Sequence, residues 1–453
     1  MAVPIDYGNP TGESITIRMA RLKSTNNGTA PLGTLLINLG GPGAPTAALI
    51  KDVAKGNQLF SEELMANYDI VGLDPRGVGT SNPVKCNQRI WNERVNLFPT
   101  TEEEYQSIVA HNKALGESCA KLTGNLINHL DTAHVVEDFE MFRLAINNGG
   151  LNLLAWSYGT QIAIQYAEKY PENVNRFVLD GITDHTLPET TTLIAEAATY
   201  EATLNQFFLW CNTTSDCLLQ GQNVAGLFDS LVKTAASSPI PAPNCNSTGD
   251  NACFSTITAS DILTNVQFLL AGPNINTTWP ELSSSLAAAA QGNAGPGLST
   301  PIATSDNYNG YAFLAIACQD WLHESSGVTD VLEKQRMAAA MFPHTRGASE
   351  SYYAQVKCIG WPALTTNPQH VLEKKALRAP PMLLVNALWD PETSIVWATG
   401  VARQLEETGS VLVTRDGAGH TSYLGSLEGE TRGVEEVFLL TGVLPAKGLV
   451  LRS

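Results

Sequence analysis

Basic residues are scarce: the 453-residue chain has 27 Lys and Arg against 44 Asp and Glu, a formal net charge of −17. A surface so short of cations argues against nucleic acid or an anionic bilayer surface as partner. No stretch reaches the 18 or more consecutive apolar residues of a spanning helix, so the expectation is no membrane span. The opening "MAVPIDYGNPTGES" has neither the basic start nor the apolar centre of a signal peptide, and reads as a domain that begins almost at once. No C-x-x-C pair or Cys/His cluster points to zinc, and no metal or other cofactor is expected. Internal repeats are missing too, which removes solenoid architectures.

What is present is ample apolar material, 43% of the chain, enough for a large core and for two domains. The eight cysteines pair naturally with their sequence neighbours: Cys86 with Cys119, Cys211 with Cys217, Cys245 with Cys253, and Cys318 with Cys358. Two of these pairs lie in polar, loop-like sequence where buried thiols are not expected. Disulfides, and so a secreted or otherwise oxidising location, are therefore preferred over buried thiols in a cytoplasmic enzyme.

Over the first 180 residues short apolar runs alternate with helical periodicity, the pattern of a parallel α/β sheet. "ESITIRMARL" (13–22) alternates like a strand, while "GTLLINLGG" (33–41) and "YDIVGLDPRG" (68–77) are apolar runs ending in loops. Asp131-Thr132 reads as a helix start before the amphipathic stretch 133–147. A strand over 151–156, a helix over about 158–169 and a buried strand over 175–181 follow. From about 185 to 375 alanine, serine and threonine dominate and strand-like runs vanish, which predicts a mainly helical insertion. "PPMLLVNALWD" (380–390) and "GSVLVTRDGAGH" (409–420) restore the strand pattern. The chain divides accordingly into a core of 1–184 and 376–453 and an insertion of 185–375.

The residues "LNLLAWSYGTQIA" (151–163) place Ser157 on the corner between strand and helix, one glycine short of the G-x-S-x-G elbow that exposes a nucleophile above a parallel sheet. A serine hydroxyl needs a base in reach and a third group to orient that base. Of eight histidines, His111, His129, His134, His185, His323, His344 and His370 have no preceding strand. His420 alone follows a strand and a flexible "DGAG" loop. Asp390 ends the preceding strand and is the expected acid, with Glu392 as its main competitor; Asp416 is too close in sequence to approach the ring from behind. The order Ser157, Asp390, His420 is that of α/β-hydrolases. The amide of Tyr158 and that of Gly41 in "NLGGPGAP" are the expected oxyanion donors, with Gly40 admitting the substrate's close approach.

"INLGGPGAP", "YDIVGLDPRGVGTSNP", "LLAWSYGTQIAIQYAEKYPENVNRFVLDG", "AIACQDW", "LLVNALWDPETS" and "GAGHTSY" together resemble the tripeptidyl-aminopeptidase-like branch of the proline iminopeptidase group. The resemblance implies an α/β-hydrolase fold, mainly parallel, with a large helical cap inserted between the sixth and seventh core strands. It implies Ser157, Asp390 and His420 as triad and reads Arg76 as a structural tie beneath the site. Ala155 replaces the first elbow glycine, and Leu39 stands where iminopeptidases usually have histidine. The implied activity is a serine hydrolase that removes N-terminal residues or short peptides through an acyl-enzyme. The alternatives are an ester, lactone or amide hydrolase or acyltransferase acting on a small metabolite, and a non-catalytic binding protein on the same fold. The expected partner is thus a peptide or a small ester or amide. A free amine would be held by an acidic cap residue, for which Asp320 is the candidate, with Trp156 and Gly40 as further substrate contacts.

Overall fold

The computed structural model describes every residue except 147–148, 250–251, 273, 324, 326, 426–428 and 453. Its centre is an eight-stranded sheet of β1 (Met19–Leu22), β2 (Thr34–Asn38), β3 (Asp69–Leu73), β4 (Leu151–Trp156), β5 (Val174–Asp180), β6 (Leu383–Trp389), β7 (Val411–Ala418) and β8 (Val450–Leu451). The order is β8-β7-β6-β5-β4-β2-β3-β1, parallel throughout except for the edge strand β1. "LNLLAW" in β4 is buried at every position, as a central strand covered on both faces requires.

The alternating stretch 13–22 is not one strand. Ser14–Thr16 pairs with Ala2–Pro4 in a separate ribbon, whereas Met19–Leu22 joins the main sheet. Between them the Ile17 amide donates to the Met1 carbonyl and the Arg18 amide to Ser81 Oγ, so the chain changes partners midway. The Thr132–Ala145 helix begins as expected, with the Asp131 side chain accepting from the His134 amide.

The inserted helices run from Glu189–Thr213 to Glu350–Cys358, between β5 and β6. Within the large sheet these are its fifth and sixth strands, because the N-terminal ribbon pairs only with itself. Much of the insertion closes around its own cluster, including Tyr200, Phe207, Phe228, Val266, Trp279 and Leu286. The expected insertion boundaries do not follow the cores. Tyr311, Leu314 and Cys318 of the Gly310–Asp320 helix pack with Leu36, Leu153 and Ile162 in the cluster built on the sheet.

The cysteines form the four neighbour pairs, 86–119, 211–217, 245–253 and 318–358. Such bonds persist in an oxidising compartment. No helix among the described residues is long and apolar enough to cross a membrane.

Arg76 is fully buried, and each of its five N–H groups finds an acceptor. Nε and Nη2 donate to the two oxygens of Asp138 at 2.8 and 2.7 Å. The remaining donors reach the carbonyls of Pro4, Ile5 and His129. One guanidinium thus joins the N-terminal ribbon, the loop after β3 and the Thr132–Ala145 helix. Arg76→Met would leave the Asp138 carboxylate buried without its cation. We expect a loss of about 3–5 kcal/mol in denaturant unfolding, with the far-UV spectrum kept in the absence of denaturant. Non-reducing intact mass should also lie about 8 Da below the fully reduced value.

Candidate active site

Four loops at the carboxyl ends of β2, β4, β6 and β7 meet above the sheet, where ligand crevices of open parallel sheets form. Ser157, directly after β4, adopts φ +56°, a left-handed conformation costly for a residue with a β-carbon. Its amide donates to the Asp180 carbonyl at 2.9 Å, and its carbonyl accepts from the amide and hydroxyl of Thr160 at 2.8 and 2.7 Å. The strain is held from both sides. Ala155 is fully buried in β4, so its methyl is accommodated at the first elbow position. The second position admits no such change: a β-carbon on Gly159 would lie 2.5 Å from Asn38 Oδ1.

Asp390 and His420 come together from β6 and β7. Nδ1 of His420 lies 3.0 and 2.9 Å from the two carboxylate oxygens. Asp390 also accepts from the amides of Glu392 and Thr393 and from the Thr393 hydroxyl. Burial alone would raise its pKa, but the His420 charge, the hydrogen bond to it and the Thr393 donors hold it below the usual range. Burial would likewise lower the histidine; the carboxylates of Asp390 and Glu392 overcome this and push it up to about 10. Glu392, the competing carboxylate, approaches the other ring nitrogen. Its Oε2 stands 3.5 Å from Nε2, on the other side of the ring. Arg415 braces the histidine loop by donating to the carbonyls of Ala418, Gly419 and Thr421 and to Ser422 Oγ.

A cavity opens beside these residues. Ser157, Tyr158, Gly41, Pro42, Glu392 and Thr393 line it, together with Leu193, Phe313, Trp321, Glu350 and Trp397 among others. The Gly41 and Tyr158 positions expected to supply oxyanion donors therefore border the same space as Ser157. Gly40 does not. A β-carbon there would lie 2.4 Å from the Trp156 carbonyl oxygen and 2.8 Å from the Tyr158 amide, so its role is close packing of two loops. Trp156 is fully buried against Tyr423 and does not reach the cavity either.

Asp320 is the main correction. It is fully buried, outside the cavity wall, and its carboxylate accepts from the Thr132 amide and hydroxyl, the Tyr158 hydroxyl and Asn367 Nδ2. Those four donors occupy both oxygens at 2.5–2.8 Å, leaving no room for an ammonium. Burial and the neighbouring Asp131 carboxylate push its pKa up to about 7.

The cavity has other carboxylates. Glu189 accepts from His323 and Gln355, and Glu196 from the Glu350 and Ser351 amides and Gln267. Both are committed to structure. The Glu350 side chain has no hydrogen-bond donor among the described residues, and it faces the charge of Glu392, which itself stands 3.5 Å from His420 Nε2. Burial first, then Glu392 and Glu196, drives the Glu350 pKa well upward. Glu392 was legible in "WDPETS", two residues past the acid; Glu350 opens a helix and looks like ordinary first-turn chemistry. Of the close His/Cys/Asp/Glu groups, one contains the bonded Cys318 and Cys358, and the other, Asp6, His129 and His134, contributes no residue to the cavity.

Residues 34–269 match the family described as alpha/beta hydrolase fold, and residues 346–450 match the one described as TAP-like protein. The chain belongs to the α/β-hydrolase family and is a hydrolytic enzyme. It is similar to the serine protease Hip1 of Mycobacterium tuberculosis, 27% identical over 99% of this chain and 86% of that protein. It is similar also to a tripeptidyl aminopeptidase of Streptomyces lividans, 23% identical over 99% and 82%. A carboxylesterase B of Mycobacterium tuberculosis is 25% identical over 99% and 85%.

One glycine tests the packing around the histidine. Gly181 has φ +73°, and a β-carbon on it would lie 3.2 Å from His420 Cε1 and 3.0 Å from Thr393 Oγ1. Gly181→Ala should cut kcat at least about tenfold, since misplacement of a reacting group by about 1 Å costs up to ~100-fold. Melting temperature should fall by only a few degrees. Full activity would show that the ring tolerates displacement.

Proposed function

We propose that the protein is a serine hydrolase in which Ser157 attacks an acyl carbon, His420 takes its proton, and Asp390 orients the imidazole. The observation that carries this reading is the Asp390 carboxylate on His420 Nδ1 at 2.9 Å beside a cavity bordered by a left-handed Ser157. Attack of the Ser157 oxygen would form a tetrahedral oxyanion, stabilised by the amides of Gly41 and Tyr158. Protonated His420 would then give its proton to the leaving amine, and water would release the acyl group by the same steps in reverse.

The preferred substrate is a peptide with a free amino terminus. A buried ammonium requires a carboxylate; Glu350 is a cavity carboxylate with no donor among the described residues, and Glu392 beside it faces His420 Nε2 at 3.5 Å. The similarity to a tripeptidyl aminopeptidase and to a serine protease supports peptide-bond cleavage. The second reading, ester hydrolysis, is favoured by Leu193, Phe313, Trp321 and Trp397, an apolar wall suited to an acyl chain, and by the similarity to a carboxylesterase. The helical insertion would act as the substrate-selecting cap. With its four disulfides the enzyme would work outside the cytoplasm.

Ser157→Ala should reduce turnover by about 10³ or more and abolish labelling by a fluorophosphonate probe; normal turnover would refute the reading. Glu350→Gln should raise KM about tenfold for free-amino peptides, the order of one charged hydrogen bond, and leave acetylated peptides and simple esters unaffected. Equal effects on all three would favour the ester reading. Glu392→Gln removes a negative charge that stabilises the imidazolium. The acid limb of kcat/KM, set by deprotonation of His420, should therefore move to lower pH by roughly one unit or more.

A further inference from the structure

A second cavity adjoins the first. It is lined by Trp91, Phe254, Tyr308, Tyr353 and Lys357, and it shares Phe313 and Glu350 with the Ser157 cavity. Its other charged groups are already paired. Arg94 bridges to Asp261 at 3.0 Å and lies 4.0 Å from the centre of the Phe254 ring; Glu93 pairs with Arg89 at 3.1 Å. Lys357 is different. It is only 8% exposed, and its ammonium has neither a hydrogen-bond acceptor nor a carboxylate partner among the described residues. The Tyr353 ring lies 5.9 Å away, and the neighbouring His111 is engaged with the Ile90 carbonyl. Burial lowers the Lys357 pKa to about 8, a cost that an anion in the cavity would relieve.

Glu350 and Lys357 stand on one helix, Glu350–Cys358. Seven residues make nearly two turns, so both project from the same face, about 10 Å apart along the axis. Glu350 marks the junction of the two cavities and Lys357 the far one, so the path away from Ser157 runs along this helix. About three extended residues cover the same span.

We infer that the second cavity is a peptide-binding subsite in which Lys357 pairs with a carboxylate. This rests on the reading of Glu350 as the amine-binding end. Opposite charges at the two ends of the helix face would then select short zwitterionic peptides, with the aromatic wall contacting the side chains between them. The carboxylate could be the peptide's own C-terminus or an acidic side chain.

The test uses binding rather than turnover, so it does not depend on the catalytic assignment. Ala-Ala-Ala, Ala-Ala-Ala amide and Ala-Ala-Asp amide are titrated calorimetrically into full-length Ser157→Ala protein, with and without Lys357→Met. The parent should bind the free acid at least about tenfold more tightly than the amide, and Lys357→Met should bring that ratio to about one. A preference restored by Ala-Ala-Asp amide would assign the site to side-chain carboxylates; its absence, to the C-terminus. Equal affinity of the parent for all three peptides overturns the inference, whether or not Lys357→Met folds, and so does a preference that survives Lys357→Met. If the unmodified enzyme cleaved neither peptides nor esters while the Ser157→Ala protein still discriminated through Lys357, the hydrolase mechanism would be refuted and this site left standing.

Discussion

At Gly40 two backbones pass so close that no β-carbon fits between them, and the geometry above the sheet follows from that approach. The loop after β2 can lie on the elbow after β4 only because residue 40 lacks a side chain and can adopt φ +80°. Pressed there, it brings Gly41 and Pro42 to the same cavity edge as Ser157 and Tyr158. The elbow is fixed from below by the Asp180 carbonyl and from the side by Asp320, which accepts from the Tyr158 hydroxyl at 2.5 Å. A conformation that Ser157 would not choose is thus determined by its neighbours, as functional strain requires.

Asp320 contributes by stabilising this corner. Through Thr132, Tyr158 and Asn367 it joins the start of one sheet-side helix, the elbow and the segment returning from the insertion. Arg76 performs the matching task on the N-terminal side, where it donates to the carbonyls of Pro4, Ile5 and His129. Both are charged groups with every partner in place, and neither faces the cavity. Glu350, beside Ser157, is by contrast a carboxylate without a donor among the described residues. Asp320 and Arg76, fully paired, hold the scaffold, while Glu350 borders the space where a ligand would supply a partner.

Much of this was legible in the sequence because parallel α/β architecture writes itself locally. The apolar runs at 151–156 and 380–390 and the strand pattern at 409–420 could hardly be anything but buried strands, and loops at their carboxyl ends carried the serine, the acid and the histidine. The family profile over 34–269 bears out the fold so expected. Residues 13–22 were misread because alternation says nothing about which sheet a strand joins. Asp320 was misread for a related reason. A carboxylate beside a tryptophan and a cysteine suits a binding site as well as a buried node, and only its donors, Thr132 and Asn367, decide between them. They come from 188 and 47 residues away. Glu350 and Lys357 gave no signal, since their meaning lies in what faces them across a cavity.

The Ala259–Ala271 helix of the insertion holds two of the loops together. Its Ala271 carbonyl accepts the backbone amide of His420 at 2.9 Å, and its Gln267 side chain donates to the Pro391 carbonyl, one residue past Asp390, at 2.9 Å. Strands β6 and β7 are thereby clamped at their loops by a helix that is not part of the sheet. That helix also belongs to the insertion's own hydrophobic cluster. The position of this helix and the placement of the imidazole beside its carboxylate are therefore joined by these two hydrogen bonds. A molecule wedged among the inserted helices would detune the ring without touching it.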